Sequence, residues 1–336
     1  ATTVVLRRTH VDRGVGSGGG QDSGRGETVT MKSRPVAEKK RVLYRLGEVL
    51  ESYTMLAPAY VIFLVFIFVP VVWAFYLSFF DYSILSMRTP EFSGIDNFRR
   101  VFSDPVFWTA LKNTVRYSLG TVPTRLVLGL LLALALDQAN LWGRKIFRTI
   151  YFLPVVTSMV AAAIVWSLVF SASNNGLANQ FLSLFDVAPK GWLSDSNLAM
   201  FSVCVLSVWK DLGYVMTIFT AGLQGIPLEL YEAGAIDGAT VWQRIRFITI
   251  PLLRPTTFFI LVTEIISSFQ VFTQTYVMTS GGPGYSTTTL INLLHNKGFV
   301  QFDMGYASAL AVALFISLLF LSWVLRKVFK ADEIVY

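Results

Sequence analysis

Long apolar runs alternate with short polar stretches along this chain, and their spacing predicts six membrane-spanning helices. The apolar runs lie near residues 56–80, 114–136, 149–170, 199–222, 258–279 and 305–325. Each is close to the roughly 20 residues that an α-helix needs to cross a bilayer. Six crossings leave both termini on one side. Ahead of them Val42, Leu46, Val49 and Leu50 share one stripe, which predicts a short amphipathic lead-in helix over 41–55. Residues 1–30 are rich in Gly and Ser, and no aromatic residue precedes Tyr44, so this stretch reads as disordered. Met31, at the head of a basic stretch, reads as the true start. The organisation is therefore a tail (1–40), the lead-in helix (41–55), a six-span domain (56–328) with a polar connection at 223–257, and a second tail (329–336). The first span is too long for a cleaved leader and lacks a small-residue cleavage site, so it reads as a retained helix.

Composition supports lipid exposure and narrows the chemistry. The chain is 54% hydrophobic and 15% charged, against about 25% charged in a soluble domain. The net charge of +7 reflects topology. Nineteen Lys and Arg fall in the termini and the two connections on their side, and five in the alternate connections. That bias places the termini and the 223–257 connection in the cytoplasm and removes the need for a nucleic-acid partner. Arg144 and Asp237 are then inside, and Asn97, Asn179 and Asn292 outside. Cys204 is the sole cysteine, a small packing residue in an apolar span, so no intrachain disulfide forms. His10 and His295 are too far apart to suggest a metal site. The chain has no phosphate-binding G-x-x-x-x-G-K-[ST] loop, no H-E-x-x-H and no G-x-S-x-G. An enzymatic role has no parts to use.

The 223–257 connection carries the most specific pattern. Tyr231, Glu232, Ala233, Gly234, Asp237, Gly238 and Ala239 form a small-residue stretch that continues to Ile248 and Pro251. Pro227 suits a helix start, with Glu229 and Glu232 complementing its positive end. Leu228, Tyr231, Ala235 and Ala239 recur at helical spacing as one apolar face, and Gly238 allows a sharp bend or a close approach. The plain alternative is an amphipathic loop resting on lipid headgroups. The spacing of Glu232, Ala233, Gly238, Ile248 and Pro251 resembles the EAA loop of ABC importer permeases, with Gly234 in place of the second Ala and Ile250 in place of Leu. In that family the loop is a surface helix that docks on a separate ATPase subunit. Thr279-Ser280-Gly281-Gly282-Pro283 and Phe302-Asp303-Met304-Gly305-Tyr306 are similar to runs in the maltose and glycerol-phosphate types, and 81–110 resembles the first external loop of carbohydrate-type permeases. The resemblance covers about 50–330.

Ionisable groups inside spans are costly and default to functional candidates. Lys210 and Asp211 are neighbours that point apart on a helix, so each needs a partner on another helix or in a water-filled cavity. Glu264, Gln270 and Gln274 give the fifth span a polar side, the two glutamines on one face. Sugars call for planar hydrogen-bonding groups and aromatic faces, which Gln270, Gln274, Tyr276, Trp209 and Tyr214 supply. The bland reading is polar glue between helices. Span two carries Pro123 and Arg125, span three Pro154, and Trp192 reads as an interface anchor in the 171–198 connection.

The resemblance implies an all-α, polytopic inner-membrane protein with six transmembrane helices and the ABC importer permease fold. It implies transport of a sugar, oligosaccharide or glycerol-phosphate-like solute. The implied partners are a second permease, two ATPase subunits that bind ATP and Mg, an extracytoplasmic solute-binding protein and membrane lipid. Absence of the Gly-Leu-Thr-x-Gly-Ala tail of the other permease branch favours a heterodimer. The alternatives are a self-contained, ion-driven secondary transporter, for which no internal repeat is visible, and a membrane-anchored scaffold or sensor.

Overall fold

The computed structural model describes residues 53–86, 89–137, 143–174 and 176–329. The tail 1–40, the lead-in helix up to residue 52 and the tail from residue 330 lie outside the described residues. Two compact units divide the chain. The first, Ala1–Phe63, is described only as a helical run from Tyr53, and the second, Leu64–Tyr336, holds every other element.

Helix α1, Tyr53–Leu77, is the first span, with a π-helical stretch at Leu64–Phe68. A two-residue hairpin follows, β1 (Phe80–Asp81) against β2 (Glu91–Phe92), then α2 (Asp96–Ser103) and the 33-residue α3 (Pro105–Asp137). Next come α4 (Arg144–Val156), α5 (Met159–Val169), α6 (Leu177–Ser183) and α7 (Ala199–Gln224). The 223–257 connection contains α8 (Leu228–Ile236) and α9 (Val241–Leu252). The chain then forms α10 (Arg254–Phe269), α11 (Thr273–Thr279), α12 (Leu290–His295) and α13 (Met304–Val328).

Among the described residues four helices, α1, α3, α7 and α13, are long and apolar enough to cross a membrane alone, and two bent pairs bring the number to six if each pair is one span. The expected span 149–170 is such a pair: α4 and α5 meet at 100°. Pro154 sits in the last turn of α4, and Thr157 turns extended there. The expected span 258–279 is also not one helix. Helices α9 and α10 meet at 64°, α10 stops at Phe269, and residues 270–272 separate it from α11. The shared face assigned to Gln270 and Gln274 on one continuous helix therefore does not exist. Span two begins at Pro105, well before residue 114.

Helix α3 is the centre of the bundle, packed along α7 and against α10. Lipid offers no hydrophobic gain for joining helices, so small residues that let backbones approach become the means of packing. A Cβ on Gly213 of α7 would lie 2.1 Å from the Tyr151 carbonyl oxygen of α4, and one on Gly129 of α3 would lie 2.6 Å from Val215. Three apolar clusters fill the bundle, around Tyr306 and Leu310, around Tyr117 and Val203, and around Val215 and Ile260.

The connections are tied by buried amides. Asn97 Nδ2 donates to the carbonyls of Ser78 (3.1 Å) and Phe80 (2.8 Å). Asn179 Oδ1 accepts from Trp192 Nε1 at 2.8 Å, so Trp192 braces the 171–198 connection rather than acting as a free interface anchor. Asn97, Asn179 and Asn292 are all buried, which makes none of them a position for accessibility labelling.

Candidate functional sites

The connection after α7 folds into a helical hairpin whose shape is set locally. Pro227 precedes α8, and Glu229 occupies its first turn. The helix ends at Asp237, and Gly238 adopts φ +75°. Its N–H donates to Ala235 O (3.1 Å) and the Ala239 N–H donates to Gly234 O (2.9 Å), the paired bonds of a Schellman ending. Thr240 then opens α9 with a reciprocal cap, donating its N–H to Gln243 Oε1 at 2.7 Å while accepting from the Gln243 N–H. Gly234 explains itself here: a Cβ would stand 3.1 Å from Ile248 Cδ1 of α9. Pro251 lies in the last turn of α9, just before the bend into α10.

The expected apolar face of Leu228, Tyr231, Ala235 and Ala239 divides in two. Tyr231 turns inward, its hydroxyl 3.0 Å from Thr249 Oγ1, and Ala239 is half-buried. The outward face carries Leu228 (66% exposed), Glu232, Ala235 and Ile236 (86% exposed). Ile236 was not among the expected face residues, although it lies eight residues after Leu228 and four after Glu232. Nothing among the described residues lies within 4 Å of a Cβ built on Gly238, so among them this glycine serves the turn and not an internal close approach.

The second site is polar and lies inside the bundle. Arg125 of α3, 2% exposed, gives Nη1 to Glu264 Oε2 (2.6 Å) and Nη2 to both Asp211 Oδ2 (2.8 Å) and the Ser207 carbonyl (2.8 Å). Gln274 Nε2 donates to Tyr117 OH at 2.8 Å and Ser207 Oγ at 3.3 Å. Tyr117, Arg125, Asp211, Gln270, Phe272 and Gln274 surround a cavity of about 280 Å³. Lys210 points the other way, as the spacing required, and donates to Val155 O at 3.0 Å. That carbonyl sits where the α4–α5 bend leaves helix-end acceptors unpaired.

The structure thus brings Asp211, Gln270 and Gln274 together and sets Glu264 behind Arg125. Trp209, Tyr214 and Tyr276 are not among the residues around this cavity. Trp209 pairs with Trp166, ring centres 5.5 Å apart, beside a separate apolar cavity. Tyr214 is partly exposed on α7, and Tyr276 lines a cavity by the loop after α11. Arg125, Tyr117 and Ser207 were not among the expected site residues. The available signal was charge balance: one arginine in an apolar span, with a lone acid in each of two others, calls for pairing.

Comparison with known proteins decides the family. Residues 125–331 match the family described as binding-protein-dependent transport system inner membrane component. The chain belongs to that permease family. The permease is 34% identical to the arabinooligosaccharides transport system permease AraP of Bacillus subtilis (strain 168), over 82% of this chain and 87% of that protein. It is 36% identical to the trehalose/maltose transport system permease MalF of Thermococcus litoralis, over 84% of this chain and 95% of the relative. Its fold is similar to a chain in the crystal structure of a bacterial ABC transporter that imports the acidic polysaccharide alginate. That likeness has a TM-score of 0.74 at 24% identity and covers 88% of this chain and all of the other. The permease is therefore an inner-membrane component of an ABC importer, and the secondary-transporter reading is not favoured.

Proposed function

We propose that this permease carries a neutral sugar or oligosaccharide through the bacterial inner membrane as half of a helical pathway, with a different permease chain supplying the other half. The observation that carries the solute class is the state of Arg125. One guanidinium faced by two carboxylates leaves no surplus positive charge in the central cavity for a phosphate or a sugar acid. Gln270, Gln274, Tyr117 and Asp211 instead offer amide, hydroxyl and carboxylate groups suited to sugar hydroxyls. The oligosaccharide and disaccharide names of the relatives support the same class. An extracytoplasmic binding protein delivers the solute, and the Lys/Arg bias supports cytoplasmic termini and a cytoplasmic α8.

Helix α8 docks on one of two ATPase subunits, which hold the ATP and Mg. Leu228, Glu232, Ala235 and Ile236 meet the ATPase, while Tyr231, Gly234, Gly238, Ala239 and Pro251 keep the hairpin's shape. Helices α8 and α9 are locked by the Tyr231–Thr249 contact, and α9 leads directly into α10, which carries Glu264. Movement of α8 therefore reaches the Arg125 cluster through rigid helices, and the path switches between inward and outward access.

Uptake in vesicles containing both permeases, the ATPase and the binding protein tests this reading. Maltose, trehalose and arabinotriose are compared with glycerol 3-phosphate. ATP-dependent uptake of a neutral saccharide is expected. Uptake confined to the phosphorylated solute, or driven by an ion gradient without ATPase, would overturn it. Cysteines placed at exposed Asp186 and Ala235 in a Cys204→Ser background check orientation with an impermeant thiol reagent. Position 186 is expected to label from outside intact cells, and labelling of 235 from outside would reverse the topology.

A further inference from the structure

We infer that the end of the bundle opposite α8 holds a second saccharide-binding site, separate from the central cavity; this rests on the reading of the protein as a sugar permease. A cavity of about 610 Å³ lies among α11, the loop after it and α12, within the roughly 300–1,000 Å³ usual for small-molecule sites. Asn292 lines it, 7% exposed. Its Oδ1 accepts from Thr275 Oγ1 (2.6 Å), Thr289 Oγ1 (2.6 Å) and the Thr289 N–H (3.2 Å). Because a backbone N–H can only donate, that last bond fixes which amide atom is oxygen. Nδ2 therefore keeps both hydrogens, and it has no partner among the described residues. Buried donors are rarely left unpaired, since each has lost its water without gaining an acceptor. Nδ2 is closed to water in this structure, and a solute seated against Asn292 would have to uncover it before one of its hydroxyls could supply that acceptor.

The other walls suit a sugar ring. Tyr276 stacks on Phe272 with ring centres 5.0 Å apart and meets the His295 ring at 5.3 Å, and Tyr285 stands exposed in the same cavity. Such faces pack against the C–H side of a pyranose or furanose while the fixed amide engages its hydroxyls. Asn296 and Gln301, joined at 2.8 Å, add further amide groups to the lining. Phe272 also borders the central cavity, so the Phe272–Tyr276–His295 stack has one end at each cavity. A solute leaving the outer site would pass this stack and meet Gln270 and Gln274.

The test uses the full transporter in nanodiscs, without binding protein, and saturation-transfer NMR with maltose, trehalose and arabinotriose as probes. Asn292→Asp keeps an acceptor for the Thr289 N–H and exchanges the free donor for a charged acceptor, and Asn292→Leu removes the donor without adding charge. Tyr276→Ala removes the ring. All three should weaken binding of at least one probe about tenfold, the loss of one good hydrogen bond, with the remaining signal reduced further by Gln270→Ala in the central cavity. If Gln270→Ala alone weakens binding and the three outer variants match the parent, the outer site is wrong while the sugar reading stands. If no probe binds although a phosphorylated solute is transported, the sugar reading itself fails. Full protection of an introduced Tyr285→Cys from thiol reagents in the assembled transporter, at normal transport, would show that another chain covers the cavity and would also overturn the site.

Discussion

The α8–α9 hairpin and the Arg125 cluster are both polar features of an apolar chain, yet they are built in opposite ways. The hairpin is contiguous: its turns, caps and glycines all lie between Pro227 and Pro251, and its outward residues are exposed. The cluster is assembled from α3, α7, α10 and α11, with partners up to 157 positions apart, and its members are held by one another. An exposed motif can therefore be changed without unfolding the protein, whereas a buried polar cluster is structural before it is anything else. On the proposed roles, the first region would separate coupling from stability, and the second would fuse transport with stability.

The sharpest break comes from Arg125→Met. Removing one partner of a buried ionic cluster strands the remaining carboxylates, at a cost of about 3–5 kcal/mol. Membrane abundance and the detergent melting temperature should both fall steeply. Adding Asp211→Asn and Glu264→Gln should recover much of the abundance, since the stranded charges are gone. A stable single mutant would show that the cluster does not hold the bundle.

Gly238→Asp should collapse ATP-dependent uptake while abundance stays close to normal. The left-handed backbone at this position costs a non-glycine residue about 1–2 kcal/mol, a cost that Asp meets better than most, and no atom of the described residues lies within 4 Å of the new Cβ. The loss would arise at the ATPase surface. Full uptake and ATP hydrolysis in reconstituted complexes would remove this face from coupling.

A finer contrast lies inside the cavity. Gln274→Ala loses the Tyr117 and Ser207 contacts and should lower both uptake and melting temperature, by about 1–3 kcal/mol for a buried polar group left unsatisfied. Gln270→Ala, at the open end of α10, should lower uptake with the melting temperature unchanged. Equal stability losses in the two variants would contradict the placement of Gln270 as a cavity-lining group. The smallest effect is expected for Glu232→Ala, a partial fall in uptake from the loss of one polar contact, with Ile236→Ala the larger of the two on that face because it removes exposed apolar area. Uptake and solute-stimulated ATP hydrolysis measure both.

The hairpin was legible because its signals are local. Pro227, Gly238 and Pro251 act on the backbone within a turn or two of themselves, so the sequence itself marked a helix start at Pro227 and an allowed bend at Gly238. Even there the inward turn of Tyr231 was hidden, since it depends on Thr249 being packed beneath. The fifth span shows the limit more plainly. The polar side of the run 258–279 did not by itself mark the break at 270–272, where the α10 terminus is closed by short i to i−3 bonds from Gln270 and Val271.

The chain's order of apolar and polar runs, with its Lys/Arg bias, was enough for an all-helical, six-crossing reading, because a bilayer demands long apolar helices and satisfies no open backbone. The same one-dimensional record held the coupling loop, whose determinants are neighbours in sequence. Tertiary structure alone decided which intramembrane charges meet, where two of the crossings bend, and that Gln270 and Gln274 share a cavity from different helices while Trp209 and Tyr276 border others. Those outcomes depend on helix crossings set by close packing at residues such as Gly129 and Gly213, and crossing geometry is a property of pairs of segments that no single stretch of sequence contains.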